Sequence, residues 1–455
     1  MRGQICMPTG MGWRRRVLLL GVASWAQAAM GLDLSAAYDA ALIQDSTVRA
    51  ARGAAEAGRE RLPQARSQWL PSLSLSISRN KSQLDASTSN AIDALQETQS
   101  NYYSQNQSLT LRQTLFNKTK EADYKLAGFQ VADSNAQLAR ETLNLVTRIS
   151  EAYFVVLLAQ DQLALLLAQE AMTRTQLDAA RKMLLAGSGT RTDIDEVQAR
   201  LDLNAAQLLE ARQNLDYTRQ QLAAMVGQPV EHLAPLDVAR LSLRPPEPAT
   251  LAQWQSLAEL NSPEIAALRA REEAARIQID KSRAGHFPVL DIVAQWSSSD
   301  RENVTNLNSN YTVRSLGLLL TMPLYTGGYV DSLVRQAIAE QAHAVEVLEA
   351  TRRDLNGRVH KEYRGVTEGV LRVKALEQAV RSAEQVVISS RKSVLAGVRT
   401  RLDVLKAETS RIETERDLAQ ARYGYLLSRV RLAVLAGLAG RATMDEANAA
   451  LFREE

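Results

Sequence analysis

The chain has 455 residues, of which 45% are hydrophobic, 23% charged and only 5% aromatic, a length that allows two or three ordinary domains or one elongated one. Its net charge of +3 depends on residues 1–28, which hold four arginines and no acidic residue; the remainder has 50 basic and 51 acidic residues. A nearly neutral chain without a basic block gives no electrostatic reason to expect nucleic-acid binding.

The N-terminal residues 1–28 have the three parts of a secretory signal peptide. An arginine cluster precedes about ten apolar residues, which end in the cleavage pattern Ala26-Gln27-Ala28. Cys6, the single cysteine, lies upstream and is expected to be removed, which excludes disulfides and cysteine ligands in the mature chain. The most apolar later stretch, 152–168, is short and contains Asp161, so it favours a buried helix. The sequence predicts an exported protein that does not cross a membrane by helices.

The positions of the prolines predict very long helices. No proline occurs between 71 and 229 or after 323, and proline breaks helix interiors. Both stretches carry apolar residues spaced alternately three and four apart, as in coiled coils. These stripes are Val146, Ile149, Tyr153, Val156, Gln160, Leu163 and Leu167, and Val359, Tyr363, Val366, Val370 and Val373.

The two halves of the chain match each other, which indicates an internal duplication. Three pairs of segments align, namely 66–73 with 283–290, 108–117 with 317–326, and 185–194 with 395–404. The duplication predicts a signal peptide at 1–28, a first repeat at 29–227, a linker at 228–262, a second repeat at 263–440 and a C-terminal tail at 441–455.

Each half is predicted to contain a helix, a strand, a polar loop, a second strand, a very long helix, a tight glycine turn and a return helix. The expected bounds are given in the order first helix, first strand, second strand, long helix and return helix. They are 33–66, 70–80, 106–116, 118–186 and 192–226 in the first half, and 263–285, 288–299, 311–324, 331–396 and 401–437 in the second. A helix of about 66–69 residues is roughly 100 Å long.

The four predicted strands alternate apolar and polar residues and are about ten residues long, which suits tilted membrane-spanning strands. Alternation alone is equally typical of a soluble four-stranded sheet packed on helices. The export signal and the lack of a transmembrane helix favour an outer-membrane barrel. Four strands cannot close a barrel and lipid does not tolerate an open sheet edge, so two, three or four copies would have to share one. The apolar positions are Leu73, Leu75, Ile77, Leu109, Leu111, Leu290, Ile292, Ala294, Trp296, Leu316, Leu318, Leu320 and Met322.

The duplicated unit resembles the TolC-type outer-membrane efflux proteins over essentially the whole mature chain. The resemblance rests on the strand starts Leu70-Pro71-x-Leu73 and Phe287-Pro288-x-Leu290, on the motif at 323–328 (PLYTGG) and on 396–407 (AGVRTRLDVLKA). It implies a mostly α fold with a membrane β-barrel, in which a homotrimer forms a twelve-stranded barrel in outer-membrane lipid and a helical tunnel across the periplasm. The tunnel would dock on a periplasmic adaptor and an inner-membrane ABC or RND transporter.

The resemblance implies a passive channel that exports proteins or small toxic compounds. The absence of a lipidated N-terminal cysteine is more similar to the branch that serves type I protein secretion, and a multidrug efflux duct of the same fold is the alternative. A periplasmic coiled-coil adaptor would have one hairpin flanked by glycine-rich β modules, whereas this chain has two hairpins and four amphipathic strands.

The glycine turns are expected at the ends of the long helices furthest from the membrane. Gly187 and Gly189 form the first turn and Gly397 the second, and each is followed by a threonine and an aspartate with capping-box spacing. These pairs are Thr190 with Asp193, and Thr400 with Asp403. The same carboxylates, repeated around an axis, would also form a cation-attracting constriction. Residue types alone leave both roles open.

The resemblance assigns the constriction to Asp403 and a closing charge network to Arg399, with Thr192 and Asp193 across from that arginine. Two positions depart from the family pattern, since Lys406 replaces an acidic residue and Val394 a tyrosine of the closing network. We therefore expect the closed state to depend mainly on Arg399 with Asp193.

The sequence contains no pattern for catalysis or for a cofactor. The four histidines lie at 232, 286, 343 and 360 without helix-ligand spacing, so no metal site is expected. This argues against an exported enzyme on a helical scaffold.

Overall fold

The computed structural model describes residues 32–89, 95–302 and 309–451, and the predicted signal peptide with Cys6 lies outside these ranges. The helices are α1 Leu34–Gln44, α2 Ser46–Arg59, α3 Arg61–Ser67, α4 Lys118–Leu185, α5 Arg191–Val226, α6 Leu251–Asn261, α7 Pro263–Arg283, α8 Tyr329–Leu395, α9 Arg401–Leu435 and α10 Arg441–Asn448. The strands are β1 Ser72–Ser89, β2 Leu95–Phe116, β3 Val289–Arg301 and β4 Ser309–Thr321.

The two very long helices are present within a few residues of their predicted bounds. α4 has 68 residues and α8 has 67, so each is about 100 Å long. The Asn117 side chain caps α4 by accepting from the backbone N–H groups of Thr119 and Lys120, at 2.9 and 3.2 Å. The return helices α5 and α9 pack against them as antiparallel hairpins.

The single helix predicted over 33–66 is wrong, because the chain forms three short helices there. Asp45 separates the first two, and its carboxylate accepts from the Val48 backbone N–H at 2.9 Å as an N-cap. Burial alone would raise the pKa of Asp45, but hydrogen bonds from Arg148 on α4 and from Val48 lower it. The Asp45 cap and its ion pair with Arg148 thus determine where the chain breaks between α1 and α2. The spacing of hydrophobic residues does not show this break.

The first two strands are much longer than predicted. β1 has 18 residues and β2 has 22, so most of the expected polar loop between 80 and 106 is strand. Their antiparallel register runs without interruption from Ser72 opposite Arg112 to Ser89 opposite Leu95. The added parts of β1 and β2, residues 81–89 and 95–105, are rich in Ser, Asn and Gln. They have no apolar face, and main-chain hydrogen bonds pair them.

The four strands form one antiparallel sheet in the order β1-β2-β3-β4. The register aligns Leu73 with Leu111 and Leu109 with Trp296, which gathers the predicted apolar residues on one face. This face is exposed in the single chain; Leu318, for example, is 70% exposed. On the opposite face, Arg112 donates from Nε to the buried Asp291 at 3.0 Å. A soluble sheet would bury its apolar face, so this arrangement fits a barrel with lipid outside and a polar interior.

The main hydrophobic core lies where the hairpins meet the 228–262 segment and the C-terminal tail. Tyr153 of α4 is fully buried, with its hydroxyl 2.9 Å from the Leu32 carbonyl oxygen and 3.1 Å from that of Ala234. Burial raises the pKa of Tyr153. Within the described ranges, α4 is the one helix long and apolar enough to cross a membrane. The prediction of a buried helix holds for part of its most apolar stretch, since Tyr153 and Leu157 pack into this core whereas Leu167 is exposed in the single chain. The linker and tail contribute α6 and α10 to the same core.

Candidate pore and gate at the helical tips

Both hairpin tips are closed by a glycine in the left-handed conformation. Gly187 has φ of 72° and Gly397 has φ of 74°, a region that strains any residue with a side chain. Each glycine is followed by a backbone N–H that reaches back to the helix, from Ser188 to the Met183 carbonyl and from Val398 to the Ser393 carbonyl. This arrangement satisfies the last carbonyls of α4 and α8 and reverses the chain.

The capping boxes predicted at the start of the return helices are present at both tips. The Asp193 N–H donates to Thr190 Oγ1 at 3.2 Å, and the Thr190 N–H donates to Asp193 Oδ2 at 3.0 Å. In the second tip the corresponding distances between Asp403 and Thr400 are 3.3 and 2.9 Å. Hydrogen bonds from the Thr190 side chain and backbone lower the pKa of Asp193, and the Thr400 backbone and side chain lower that of Asp403.

The capping geometry leaves negative charge available at the tips. Each carboxylate uses Oδ2 for its cap, and the lowered pKa keeps the group ionised at neutral pH. Asp193 and Thr192 are exposed, and Asp403 is partly exposed. A helix-capping role and a charged constriction are therefore compatible in the same residues.

Arg399 and Asp193 are not brought together within one chain. The Arg399 guanidinium donates from Nη1 to the Oγ of Ser390 at 2.9 Å, and Ser390 is fully buried in α8. Across the residues that the structure places, no ion pair joins Arg399 to Asp193. The base whose charge lowers the pKa of Asp193 is Arg401.

A buried glutamate that the sequence analysis missed connects the two hairpins. Glu408 of α9 is 4% exposed. It accepts from Arg391 Nη2 of α8 at 2.6 Å and from Gln176 Nε2 of α4 at 2.6 Å. Its position in the sequence gave a signal, because it falls between Leu405 and Ile412 at the spacing of an apolar stripe.

A groove of about 600 Å³ opens between the two hairpins just above the tips. Asp193, Arg401 and Glu408 supply charge to its wall, and Val394 supplies an apolar surface where the family pattern has a tyrosine. Lys406 is exposed, and its charge contributes with that of Arg399 to the lowered pKa of Asp403. The groove is thus mixed in charge.

Comparison with protein families gives one match that spans both halves. The model of the outer membrane efflux protein family matches residues 37–228 and again residues 254–438. The two matched segments correspond to the two successions of strands, long helix and return helix.

Three curated relatives match nearly the whole chain. The alkaline protease secretion protein AprF of Pseudomonas aeruginosa is 33% identical over 92% of this chain and 87% of its own length. The proteases secretion protein PrtF of Dickeya chrysanthemi is 32% identical over 93% and 92%. The outer membrane protein TolC of Escherichia coli is 30% identical over 91% and 83%.

Solved structures share the fold at lower identity. The CusC channel matches with a TM-score of 0.77 at 16% identity, covering 89% of this chain and 92% of its own. The outer membrane protein VceC of Vibrio cholerae matches with a TM-score of 0.72 at 20% identity, covering 89% and 96%.

Proposed function

The chain belongs to the outer membrane efflux protein family, and we propose that three copies form the outer-membrane channel of a type I protein secretion system. The observation that carries this proposal is the likeness, over nearly the full length, to two protease secretion proteins at 33% and 32% identity. The channel acts passively, as a closed path for a polypeptide handed over at the inner membrane.

The sheet edges support the sharing of one barrel between copies. β1 and β4 are the edges of the four-stranded sheet, and lipid requires both to be paired. Pairing β4 of one copy with β1 of the next closes twelve strands around a lumen lined by the polar face. The hairpins α4–α5 and α8–α9 continue this ring as the periplasmic tunnel.

The export system is completed by a periplasmic adaptor and an inner-membrane ABC transporter. The mixed-charge groove between the hairpins provides an open surface near the tips where another helical protein can dock. The repeated order of elements supports the division into repeats 29–227 and 263–440, joined by 228–262 and followed by the tail 441–455.

We assign the constriction at the tunnel entrance to Asp403 with Asp193. Asp403→Asn removes the charge but keeps an amide able to take part in the cap, so the hairpin should remain folded. In planar bilayers we expect this variant to lose cation selectivity and block by divalent cations applied from the tip side. Thr400→Ser, which keeps cap and charge, is the matched control. Unchanged selectivity in Asp403→Asn would limit that residue to capping.

The Arg399→Ala variant tests the closing role of that arginine. Removal of its bond to Ser390 frees the end of α8, so we expect a larger single-channel conductance. An unchanged conductance would remove Arg399 from the gate.

Expression of the protein in a Pseudomonas aeruginosa strain without AprF tests the function itself. We expect alkaline protease to appear in the medium, and no protease when the four-strand sheet is disrupted by Leu318→Asp. Restoration of drug resistance in an Escherichia coli strain without TolC, with no secreted protease in the first strain, would favour the multidrug efflux duct instead.

A further inference from the structure

Basic side chains lie at the edge of the apolar band on the outward face of the sheet. On β1, three outward apolar residues are followed at the next two outward positions by Arg79 and Lys81. On β4, which runs the other way, three outward leucines are followed at the next outward position by Arg314. The apolar residues are Leu73, Leu75 and Ile77 on β1 and Leu320, Leu318 and Leu316 on β4.

These basic residues lie beyond the apolar band on its side away from the helices, part-way along β1 and β4. β1 begins directly after α3 and β4 ends shortly before α8, so the apolar residues are nearer the periplasmic tunnel. From the end of β4 at Thr321 to Arg314, seven residues of a strand tilted by about 40° rise roughly 18 Å. A barrel's apolar band is about 25 Å tall, so an extended arginine side chain at this position reaches the headgroups of the outer leaflet.

The positive charge at this edge is only partly compensated. None of Arg79, Lys81 and Arg314 has an ion-pair partner among the residues described here, and all three are exposed. Arg79 and Lys81 lie over the ring of Tyr103, at 5.3 and 5.8 Å from its centroid, which orders the two side chains. Two acids lie at this height. Asp300 is separated from Arg79 by Gln105 in the register, and Glu302 accepts from the Tyr103 backbone N–H through Oε2 at 3.1 Å.

Closure of the barrel brings the three basic residues together, a step that rests on the proposed trimer. In one chain Arg79 and Arg314 lie on opposite edges of the sheet. In the trimer β4 of one copy neighbours β1 of the next at about 4.8 Å. Both strands place their arginine directly beyond three apolar residues, so alignment of the apolar bands in lipid also aligns the arginines.

We propose that Arg79, Lys81 and Arg314 form a phosphate-binding site for phosphorylated glycolipid of the outer leaflet, one at each of the three chain junctions. Guanidinium groups bind phosphate through paired hydrogen bonds. The leucines and Ile77 below them offer a surface for the acyl chains. A single lipid can therefore bind the basic side chains through its phosphate and the apolar residues through its acyl chains. A soluble phosphate would use only the charged half.

The test is lipid binding to the purified trimer in detergent, measured by native mass spectrometry. The ligands are diphosphorylated lipid A, the same glycolipid without phosphates, and inorganic phosphate as competitor. We expect the wild type to bind the phosphorylated form tightly and the dephosphorylated form weakly. Replacement of all three basic residues by Gln should weaken binding by about 100-fold, and Arg314→Gln alone by about fivefold.

Two control variants separate charge at this site from charge elsewhere. Arg301→Gln removes one exposed arginine at a similar height on the lumen face of β3, and it should leave binding unchanged. Arg314→Lys keeps the charge and should retain most of the affinity. Arg314→Lys and Arg314→Gln lie on the outward face and outside the proposed gate, so their conductance should match the wild type.

Each other outcome overturns a stated part of the proposal. Wild-type affinity in the triple variant, or equal affinity for the dephosphorylated glycolipid, would exclude the phosphate-binding site. If the protein is still a trimeric channel with normal conductance, the proposed function is unaffected by that result. Displacement of the lipid by millimolar inorganic phosphate would show a free-anion site. A wild-type protein that is not trimeric would overturn both the junction site and the proposed channel.

Discussion

The two helical tips have the same turn but carry different side chains. In the first, Gly189 precedes the capping threonine, and a Cβ added there would approach the Leu184 backbone nitrogen to 3.0 Å. In the second, Arg399 occupies the corresponding position and bonds to Ser390. The shared glycine and capping box therefore specify the reversal of the chain. The position before the threonine differs, since the first tip has no room for a side chain there and the second carries Arg399.

The hairpins also differ one turn further from the tip. Glu408 of the second hairpin is buried and bonded to both Arg391 and Gln176. The corresponding residue of the first hairpin is Gln198, which bonds to Asp202 of its own helix at 2.9 Å. Glu408 thus connects the second hairpin across its own helices and to the first hairpin. The first hairpin is connected across its own helices by Asn204, whose Nδ2 donates to Thr173 Oγ1 at 3.3 Å.

Removal of the Glu408 side chain should have the largest effect on the difference in local stability between the two hairpins. In Glu408→Ala, Arg391 and Gln176 lose their partner, and we expect the free energy of opening at the second tip to fall by about 2 kcal/mol. Hydrogen exchange of the α9 amides measures this opening. Glu408→Gln, which gives the second hairpin the first hairpin's residue, should have a smaller effect. Equal exchange in all three proteins would remove Glu408 from the connection.

Loss of either turn glycine should affect the two tips equally. Gly187→Ala and Gly397→Ala place a side chain at φ near +73°, and neither Cβ would meet an atom within 4 Å. Strain alone should then cost about 1–2 kcal/mol at each tip, read from local hydrogen exchange. Gly128→Ala, in open space within α4, is the control and should not destabilise. A large difference between the tips would mean that contacts beyond the turn decide its stability.

Removal of the capping threonines should cost less. Thr190→Ala and Thr400→Ala each remove one cap acceptor, with an expected loss of about 1 kcal/mol in local stability. Thr→Ser at the same positions keeps the hydroxyl and should restore most of it. If alanine and serine variants exchange alike, the capping box contributes nothing measurable.

The smallest expected effect is the pH dependence of the tips. The folded-state pKa values of Asp193 and Asp403 are lowered, first by their bonds to Thr190 and Thr400 respectively. Their contribution is therefore complete above the unfolded pKa of about 4 and is lost as the pH falls through the lower folded values. Hydrogen exchange at both tips, measured relative to the intrinsic exchange rate at each pH, should accelerate below about pH 4. In Asp403→Asn, exchange at low pH should accelerate at the first tip only. If exchange in this variant still accelerates at the second tip, a group other than Asp403 causes the pH dependence there.

Patterns that repeat along the chain allowed most of the architecture to be predicted. The family, the outer-membrane location and the barrel-and-tunnel fold are confirmed by the relatives and the structural neighbours. The proline-free stretches bounded α4 and α8 closely, and the glycine and Thr-x-x-Asp motifs located the turns. Each of these signals is local, since it depends on a residue type at fixed spacing.

What could not be predicted depends on contacts between distant residues. The long upper part of β1 and β2 has polar side chains on both faces, so no periodicity marked it as strand. The break at Asp45 depends on Arg148, 103 positions away. The partner of Arg399 depends on how α8 and α9 pack, and that packing brings it to Ser390. The constriction role of Asp403 and Asp193 remains a prediction.

The two free edges of the sheet make assembly and membrane entry a single event. A lone chain in the bilayer would expose the unpaired N–H and C=O groups of β1 and β4 to hydrocarbon, at several kcal/mol for each group. In the proposed trimer, insertion therefore waits until three chains have met. For the proposed trimer, the rate at which channels appear rises with the supply of newly exported chains, up to about the third power of their concentration, so halving expression slows it by as much as about eightfold.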